Sequence, residues 1–185
     1  MLNLISGALR LAAVSLAVCG MLYPLAILGM ARLLTPESAG GSLLCDVDGK
    51  VIGSSRIGQS FTRPEYFHGR PSAVDCNGAI SGASNLSSAS PLLRRRGEQA
   101  VAAYGATPAA PLPADLAAAS GSGLDPDISL AAARIQIPRI AAARNLPVGV
   151  IGKIVEAQVS YPGGLRLGEP FVNVLQLNLQ LDRLP

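Results

Sequence analysis

Aromatic residues and histidine are scarce in this sequence of 185 residues. Tryptophan is absent, phenylalanine occurs three times, and the only histidine is His68. The core therefore has to come from leucine, isoleucine, valine and alanine. A single histidine excludes histidine-rich metal sites and leaves one imidazole for any Ser-His-Asp triad. These shortages predict a protein with no metal site and no catalytic residues of its own.

Lysine is also rare and occurs only at Lys50 and Lys153. Neither lysine completes the pattern G-x-x-x-x-G-K-S/T, which excludes that phosphate-binding loop. Valine stands three residues before each lysine, so the Ser-x-x-Lys pair of some hydrolases is absent as well. The formal net charge of +3 is small for a chain of this length and predicts no nucleic-acid partner.

The three cysteines are Cys19, Cys45 and Cys76. Cys19 lies within a long apolar run, where it cannot easily meet the other two. Cys45 and Cys76 form a candidate disulfide pair if the chain matures in an oxidising compartment. Their separation in the sequence neither favours nor excludes a bond, so both the paired and the free state stay open.

Residues 11–31 contain no Asp, Glu, Lys or Arg. As a helix this run is roughly 31 Å long, which matches a hydrocarbon core of about 30 Å. Arg10 and Arg32 bracket it at headgroup depth. The alternative is a cleaved signal peptide, but the run is long for one. We expect a cytoplasmic N-terminus over residues 1–10, a transmembrane anchor over 11–34 and a soluble extracytoplasmic domain over 35–185.

Small residues recur at helical spacing within the anchor, at Ala13, Ala17, Gly20 and Pro24. Such a stripe predicts close packing against another membrane helix, because lipid provides no hydrophobic drive for helix association. The alternative is an ordinary anchor in a chain rich in alanine. The span carries no ionisable group, so any ion path has to be formed by another subunit.

The soluble part predicts an α+β fold with a β-hairpin and several short helices. Apolar residues 43–47 and β-compatible residues 51–61 flank the turn pair Asp48-Gly49, which is typical of a hairpin. The remaining predicted elements are helices over 92–104, over 129–145 with an interruption or kink near Pro138, and over 148–159. Residues 172–182 are ambiguous: leucine alternates with polar residues as in a strand, yet Pro170 suits the first turn of a helix.

Residues 120–129 combine glycine, serine and aspartate more densely than any other stretch of the soluble part. Glycine allows close backbone approach, and serine and aspartate bond neighbouring amides. We therefore expect a partner-binding or nucleotide-binding site on this loop and on other loops nearby. The alternative is internal bracing of the loops, which the sequence does not separate from binding. The candidate residues are Gln59, Arg70, Ser84, Asn85, Ser120, Gly121, Ser122, Gly123 and Asp125.

Five short motifs in a fixed order follow the anchor. They are GSSRIGQSF at 53–61, YFHGRPSA at 66–73, SGASNL at 81–86, ASGSGLDP at 119–126, and LGEP with VNVL between 167 and 175. In this order, behind one transmembrane helix, they resemble the KdpC family, the small subunits of the bacterial high-affinity potassium-transporting ATPase. The resemblance extends from the anchor to Leu184.

The resemblance implies a non-catalytic, single-pass subunit of the KdpFABC complex in the bacterial inner membrane. Its partners are then a channel-like subunit that carries potassium, a P-type subunit that hydrolyses ATP, and the lipid bilayer. For such a subunit it implies a role in assembling the complex or as a catalytic chaperone. The alternative is a nucleotide-binding accessory protein that directly raises ATP affinity.

ATP is the only cofactor that the resemblance suggests, and an extracytoplasmic domain cannot meet cytosolic ATP. The family's likeness to the ABC-transporter signature falls on residues 81–86, where Ala83 occupies the position of the second glycine.

Overall fold

The computed structural model describes residues 1–46, 48–164 and 166–184, and of Leu2 the backbone alone. The chain divides into two compact units, Met1–Leu43 and Leu44–Pro185. The first unit is an apolar helical segment and the second is a mixed α+β domain.

The first unit is dominated by a continuous helical stretch. Its elements are α1 (Leu2–Ser15), a π-helical segment (Leu16–Leu22), α2 (Tyr23–Leu34) and a short α3 (Pro36–Ala39). Asn3–Leu34 is 32 residues long, its most apolar window of 18 residues has a mean hydropathy of 2.2, and none of that window is buried within the protein. This stretch is long and apolar enough to cross a membrane, as predicted, and it continues through Arg10 toward the N-terminus.

The prediction of a small-residue stripe relies on α-helical spacing, but part of the stripe lies in the π-helical segment. Ala17 and Gly20 both lie within Leu16–Leu22. In a π-helix the hydrogen bonds close from i to i+5, so each turn holds more residues than an α-turn. Spacings of three and four residues then no longer keep side chains on one face, and the packing role of the stripe stays a prediction.

The predicted hairpin is present, with a shorter second strand than expected. Strands β1 (Leu43–Cys45) and β2 (Val51–Ser54) form a two-stranded sheet. In the turn, the Asp46 carboxylate accepts hydrogen bonds from the backbone N–H groups of Asp48 and Lys50, each at 3.0 Å. The prediction of a strand as far as residue 61 is wrong, because the chain turns immediately after Ser54. Val47, within the first predicted strand, lies outside the described residues.

The predicted helices occupy nearly the predicted positions. They are α4 (Pro91–Tyr104), α6 (Leu130–Arg144) and α7 (Val148–Ala157), and a four-residue α5 (Ala114–Ala117) adds to them. Ser129 caps α6 by accepting from the Ala132 N–H at 3.0 Å, and Asn145 ends it with φ of +53°. The predicted interruption near Pro138 is wrong, because α6 is one element with this proline inside it.

A second small sheet was not predicted. Strands β3 (Asp127–Ser129) and β4 (Phe171–Asn173) pair antiparallel, with Ile128 opposite Val172. The ambiguous residues 172–182 thus finish a strand and then form α8 (Val174–Asp182). Asn173 decides the change, because its side-chain oxygen accepts from the Gln176 N–H at 3.1 Å and caps the helix. Pro170 lies before β4 and not in a first helical turn.

The core lies where α6, α7 and α8 meet β3 and β4. Its side chains are aliphatic, as the composition predicts, with Phe67 as the exception among the buried residues. The completely buried members of the cluster are Phe67, Ala132, Ala133, Ile140, Ile151, Val155, Val172, Leu177 and Leu181. Cys19, Cys45 and Cys76 are free thiols, so the candidate disulfide is not formed. The fold class is α+β, as expected.

Candidate functional site

The glycine- and serine-rich loop at 120–125 is organised by its own side chains. The Ser120 hydroxyl lies 3.2 Å from the Ser122 hydroxyl and accepts from the Gly123 N–H at 3.1 Å. The Ser122 hydroxyl accepts from the Leu124 N–H at 3.1 Å. Ser120 is 3% exposed, whereas Gly121 and Ser122 are exposed. The two hydroxyls therefore satisfy backbone amides of the loop itself.

Backbone carbonyls of the same loop hold three other segments of the domain. The Ser122 carbonyl accepts from the Gly82 N–H at 2.8 Å and from the Ser81 hydroxyl at 3.1 Å. The Gly123 carbonyl accepts from the Ser72 hydroxyl at 2.7 Å. The Leu124 carbonyl accepts from the Gly58 N–H at 2.8 Å. Four of the five motifs found in the sequence thus meet at this loop.

Arg70 and Asp125 form the charged part of the site. Their side chains are 27% and 29% exposed, and the guanidinium donates to the carboxylate at 2.9 Å. The second oxygen of Asp125 accepts from the Asp127 N–H at 3.1 Å. The Arg70 Nε is buried and has no hydrogen-bond partner within the described part of the chain. The ion pair therefore fixes the end of the loop where it enters β3.

The remaining predicted site residues lie elsewhere or are bonded to other partners. Gln59 donates to the Ile52 carbonyl at 2.7 Å and so braces β2, although it shares the wall of a cavity of about 280 Å³ with Arg70. Ser84 lines a separate cavity, also of about 280 Å³, together with Arg96 of α4. Asn85 is exposed and has φ of +49°. The structure brings together Arg70, Asp125 and the loop residues Ser120, Gly121, Ser122 and Gly123. Ser84 lies beside this loop, because its cavity is also lined by Ser72 and Ala119.

Two buried amides form a clamp that the sequence analysis missed. Asn178 of α8 accepts from the Phe67 N–H at 2.8 Å and donates to the Phe67 carbonyl at 3.0 Å. Gln136 of α6 does the same for His68, at 2.8 Å and 3.0 Å. Both amide side chains are at most 2% exposed. Each thus replaces the sheet partner that the extended backbone around Phe67 lacks.

Arginines of α6 hold the same segment from outside the amide clamp. Arg139 donates to the Tyr66 carbonyl at 3.0 Å and to the Gln136 side-chain oxygen at 2.8 Å. Arg144 donates to the Glu65 carbonyl at 2.8 Å and pairs with Asp182 of α8 at 2.8 Å. The position of the Arg70 motif is therefore set by α6 and α8.

His68 is held by Gln136 through its backbone and by Arg63 through its ring. Its Nε2 lies 3.0 Å from the Arg63 carbonyl, a contact that raises the pKa of the imidazole. Burial outweighs this contact, and the nearby Arg139 guanidinium acts in the same direction as burial, so the pKa of His68 is lowered from its ordinary value of 6.5. The neutral ring is therefore the form that the folded domain favours.

A cleft of about 640 Å³ borders the site on the side of Arg70. The carboxylates of Asp115, Asp125, Asp127 and Glu169 line it together with that guanidinium. Burial raises the pKa of Asp127 above its ordinary value, and the hydrogen bond from Asn173 opposes this effect. No group of three His, Cys, Asp or Glu side chains suited to a metal ion occurs in residues 1–46, 48–164 and 166–184.

Comparison with known proteins covers almost the whole chain. The family model described as "KdpC: K+-transporting ATPase, c chain" matches residues 5–183. A protein of Parvibaculum lavamentivorans is 48% identical over 175 residues, which cover 95% of this chain and 94% of the relative. A relative in Caulobacter vibrioides is also 48% identical, over 88% of this chain and 84% of the relative. A relative in Rhodopseudomonas palustris is 48% identical over 89% of each chain. All three are named as KdpC subunits of a potassium-transporting ATPase. The chain therefore belongs to the KdpC family of K+-transporting ATPase c chains.

Proposed function

We propose that this chain is a non-catalytic subunit of an ATP-driven potassium uptake pump, and that its domain assembles and stabilises the complex. The bracing of the loop at 120–125 carries the proposal. Four motifs are tied to one another through this loop, so the domain presents a surface whose shape is set before any partner arrives. A preordered surface lowers the entropy cost of association, which suits a subunit that holds others together.

The same bracing favours assembly over direct nucleotide binding. A phosphate group binds where several backbone N–H groups are free to point at it. Here the amides of Gly123 and Leu124 are bonded to serine hydroxyls, and the Gly82 amide is bonded to the Ser122 carbonyl. We infer that ATP binds to another subunit and that any chaperone effect on ATP affinity is exerted through contact with that subunit.

The proposed setting is the bacterial cell membrane. The apolar stretch Asn3–Leu34 anchors the chain, and the domain lies on the extracytoplasmic side, beside a channel-like subunit and an ATP-hydrolysing subunit. The absence of Asp, Glu, Lys, Arg and His between Arg10 and Arg32 supports an anchor that does not conduct ions.

Co-expression with the other subunits of the ATPase tests the assembly role. We expect the tagged full-length chain to co-purify with them in detergent, and omission of the chain to abolish most potassium-stimulated ATP hydrolysis. Photolabelling of the same complex with an azido-ATP probe is expected to modify the ATP-hydrolysing subunit and not this chain. Specific labelling of this chain, reduced by excess ATP, would favour the nucleotide-binding alternative.

The free thiol at Cys45 allows the orientation to be measured. Cys45 is exposed and belongs to β1, outside the apolar stretch. We expect a membrane-impermeant maleimide to label Cys45 in cells whose outer membrane has been permeabilised and whose inner membrane is intact, because the proposed domain is extracytoplasmic. A Cys45→Ser variant separates this signal from Cys76, which is only partly exposed. Labelling that appears only after the cell membrane is permeabilised would place the domain in the cytoplasm.

A further inference from the structure

The cleft beside Arg70 is built by three parts of the domain. One wall is the segment from Pro111 to α5, the floor is β3, and the opposite wall precedes and begins β4. The apolar lining residues include Pro111, Leu112, Pro113, Ala118, Ala131, Pro170 and Phe171. Proline fixes φ in both walls, so the cleft is preformed to an unusual degree. Its volume of about 640 Å³ lies within the range of about 300–1,000 Å³ that is typical of binding pockets.

Three of the four carboxylates in the cleft are held by donors within the domain. Asp115 accepts from the Ser129 N–H at 2.7 Å, and Asp127 accepts from the Asn173 side chain at 3.0 Å. These donors are neutral, so they orient the carboxylates without cancelling their charge. Asp125 is the member that has a cationic partner in the lining, namely Arg70.

The negative charge of the cleft is therefore in excess. Arg70 is the one cation among the lining residues that the structure describes, and it is already paired. Arg56 acts on Asp127 electrostatically from outside the lining. Glu169 is exposed at the rim and has no ion pair in the described part of the chain. Crowded carboxylates beside apolar walls are stabilised when a cation enters.

The apolar walls of the cleft favour a lysine or arginine side chain over a hydrated metal ion. Lysine and arginine pack an apolar stem against apolar surface while the charged head meets an acidic group. The proline, leucine and phenylalanine walls offer such a stem a surface, whereas a hydrated metal ion gains nothing from them. No metal-holding group of side chains occurs in the described residues, as noted above.

We propose that this cleft is the docking site for a basic polypeptide segment of another pump subunit, with a lysine or arginine side chain inserted toward Asp115, Asp127 and Glu169. This inference rests on the proposed assembly function and adds to it a place of contact and the chemistry of the partner. The loop at 120–125 then acts as the rigid support of one wall, through the Arg70–Asp125 ion pair.

Two variants test the charge and the shape of the cleft separately. Glu169→Lys reverses the charge at the rim, and Ala118→Trp fills the cleft without changing the charge; both positions are exposed, so the fold tolerates the changes. The matched control is Glu98→Lys on α4, where the carboxylate is exposed and lies outside the cleft. Its ion pair with Arg94 is also exposed and contributes little.

The readout is the NaCl concentration that releases half of the full-length chain from the detergent-solubilised complex. We expect Glu169→Lys to be released at a lower NaCl concentration than the unmodified chain, because repulsion replaces attraction at the rim. Glu169→Gln is expected to lie between this variant and the unmodified chain. Ala118→Trp is expected to weaken association at low salt as well as at high salt, since it removes space and not charge. Glu98→Lys is expected to be released like the unmodified chain.

A photoreactive residue at position 118 identifies the occupant. The expected product is a crosslink to a lysine- or arginine-bearing segment of another subunit. A crosslink to a second copy of this chain or to lipid would overturn the inference, as would unchanged release of both Glu169→Lys and Ala118→Trp. If the unmodified chain does not co-purify at all, the assembly function itself is wrong and the docking site with it. Unchanged thermal unfolding of the purified variants ensures that weakened association is not caused by misfolding.

Discussion

Replacing Asn178 by alanine is expected to lower the free energy of unfolding by about 2–4 kcal/mol. The amide bonds both backbone groups of Phe67, and its side chain is 2% exposed. Truncation leaves a buried N–H and a buried carbonyl without partners, and each such group costs about 1–3 kcal/mol. Leu177 and Leu181 of the same helix are completely buried, so the truncation falls within the packed part of α8.

Gln99→Ala is the matched control for Asn178→Ala. Gln99 is an exposed amide on α4, and its loss is expected to change stability by less than about 0.5 kcal/mol. Urea unfolding of the full-length chain in detergent, followed by circular dichroism, measures both variants. A loss below about 1 kcal/mol for Asn178→Ala would show that the amide clamp contributes no more than an ordinary hydrogen bond.

Replacing Gly123 by alanine is expected to be about as damaging, at roughly 2–4 kcal/mol, because it combines backbone strain with a collision. Gly123 has φ of +72°, which side-chain-bearing residues rarely adopt. An added Cβ would lie 2.5 Å from a methyl group of Val74 and 2.7 Å from the Gly82 carbonyl oxygen. The Gly82 carbonyl belongs to the backbone, and its movement would disturb the hydrogen bond that joins Gly82 to the Ser122 carbonyl.

Gly121→Ala provides the control in the same loop. A Cβ at Gly121 meets no atom within 4 Å, and its φ is not in the left-handed region. We expect this variant to unfold like the unmodified chain in the same urea experiment and to co-purify with the other subunits normally. Equal stability of Gly121→Ala and Gly123→Ala would contradict the bracing role of the loop, since only the second disturbs it.

The elements with strong local signals were predicted well. α6 has a capping serine, Ser129, before it and an asparagine in the left-handed conformation, Asn145, after it. The hairpin was visible because Asp48-Gly49 is a turn pair between two apolar stretches. In these cases the residues that determine the structure are neighbours in the sequence.

The second sheet and α8 were harder because their determinants are distant. β3 and β4 are three residues each, too short to show alternation, and they find each other across more than 40 residues. In α8, leucines at every second position satisfy a strand pattern as well as a helix pattern. The N-cap at Asn173 and the packing of Leu177 and Leu181 in the core favour the helix. Of these two determinants, only the N-cap depends on residues that are neighbours in the sequence.

The loop at 120–125 shows the same limit for the site. Its content of glycine, serine and aspartate identified it as special, and Arg70 and Asp125 were both among the predicted residues. The sequence could not show that its hydroxyls turn inward to the loop's own amides. Nothing in the sequence distinguishes Asn178, which clamps Phe67, from Gln176 two residues earlier, because the partner lies 111 residues away.

The long reach of the clamp also sets the order in which the protein can mature. The backbone groups of Phe67 lack their partner until α8 exists, because Asn178 lies 111 residues further along the chain. At a synthesis rate of about 5–20 residues per second, the wait between the two is on the order of 10 s. The apolar stretch Asn3–Leu34 precedes the domain in the chain, so it leaves the ribosome while the domain is still unfolded. A chain that lacks α8 would therefore keep the backbone groups of Phe67 unpaired and stay exposed to quality-control proteases.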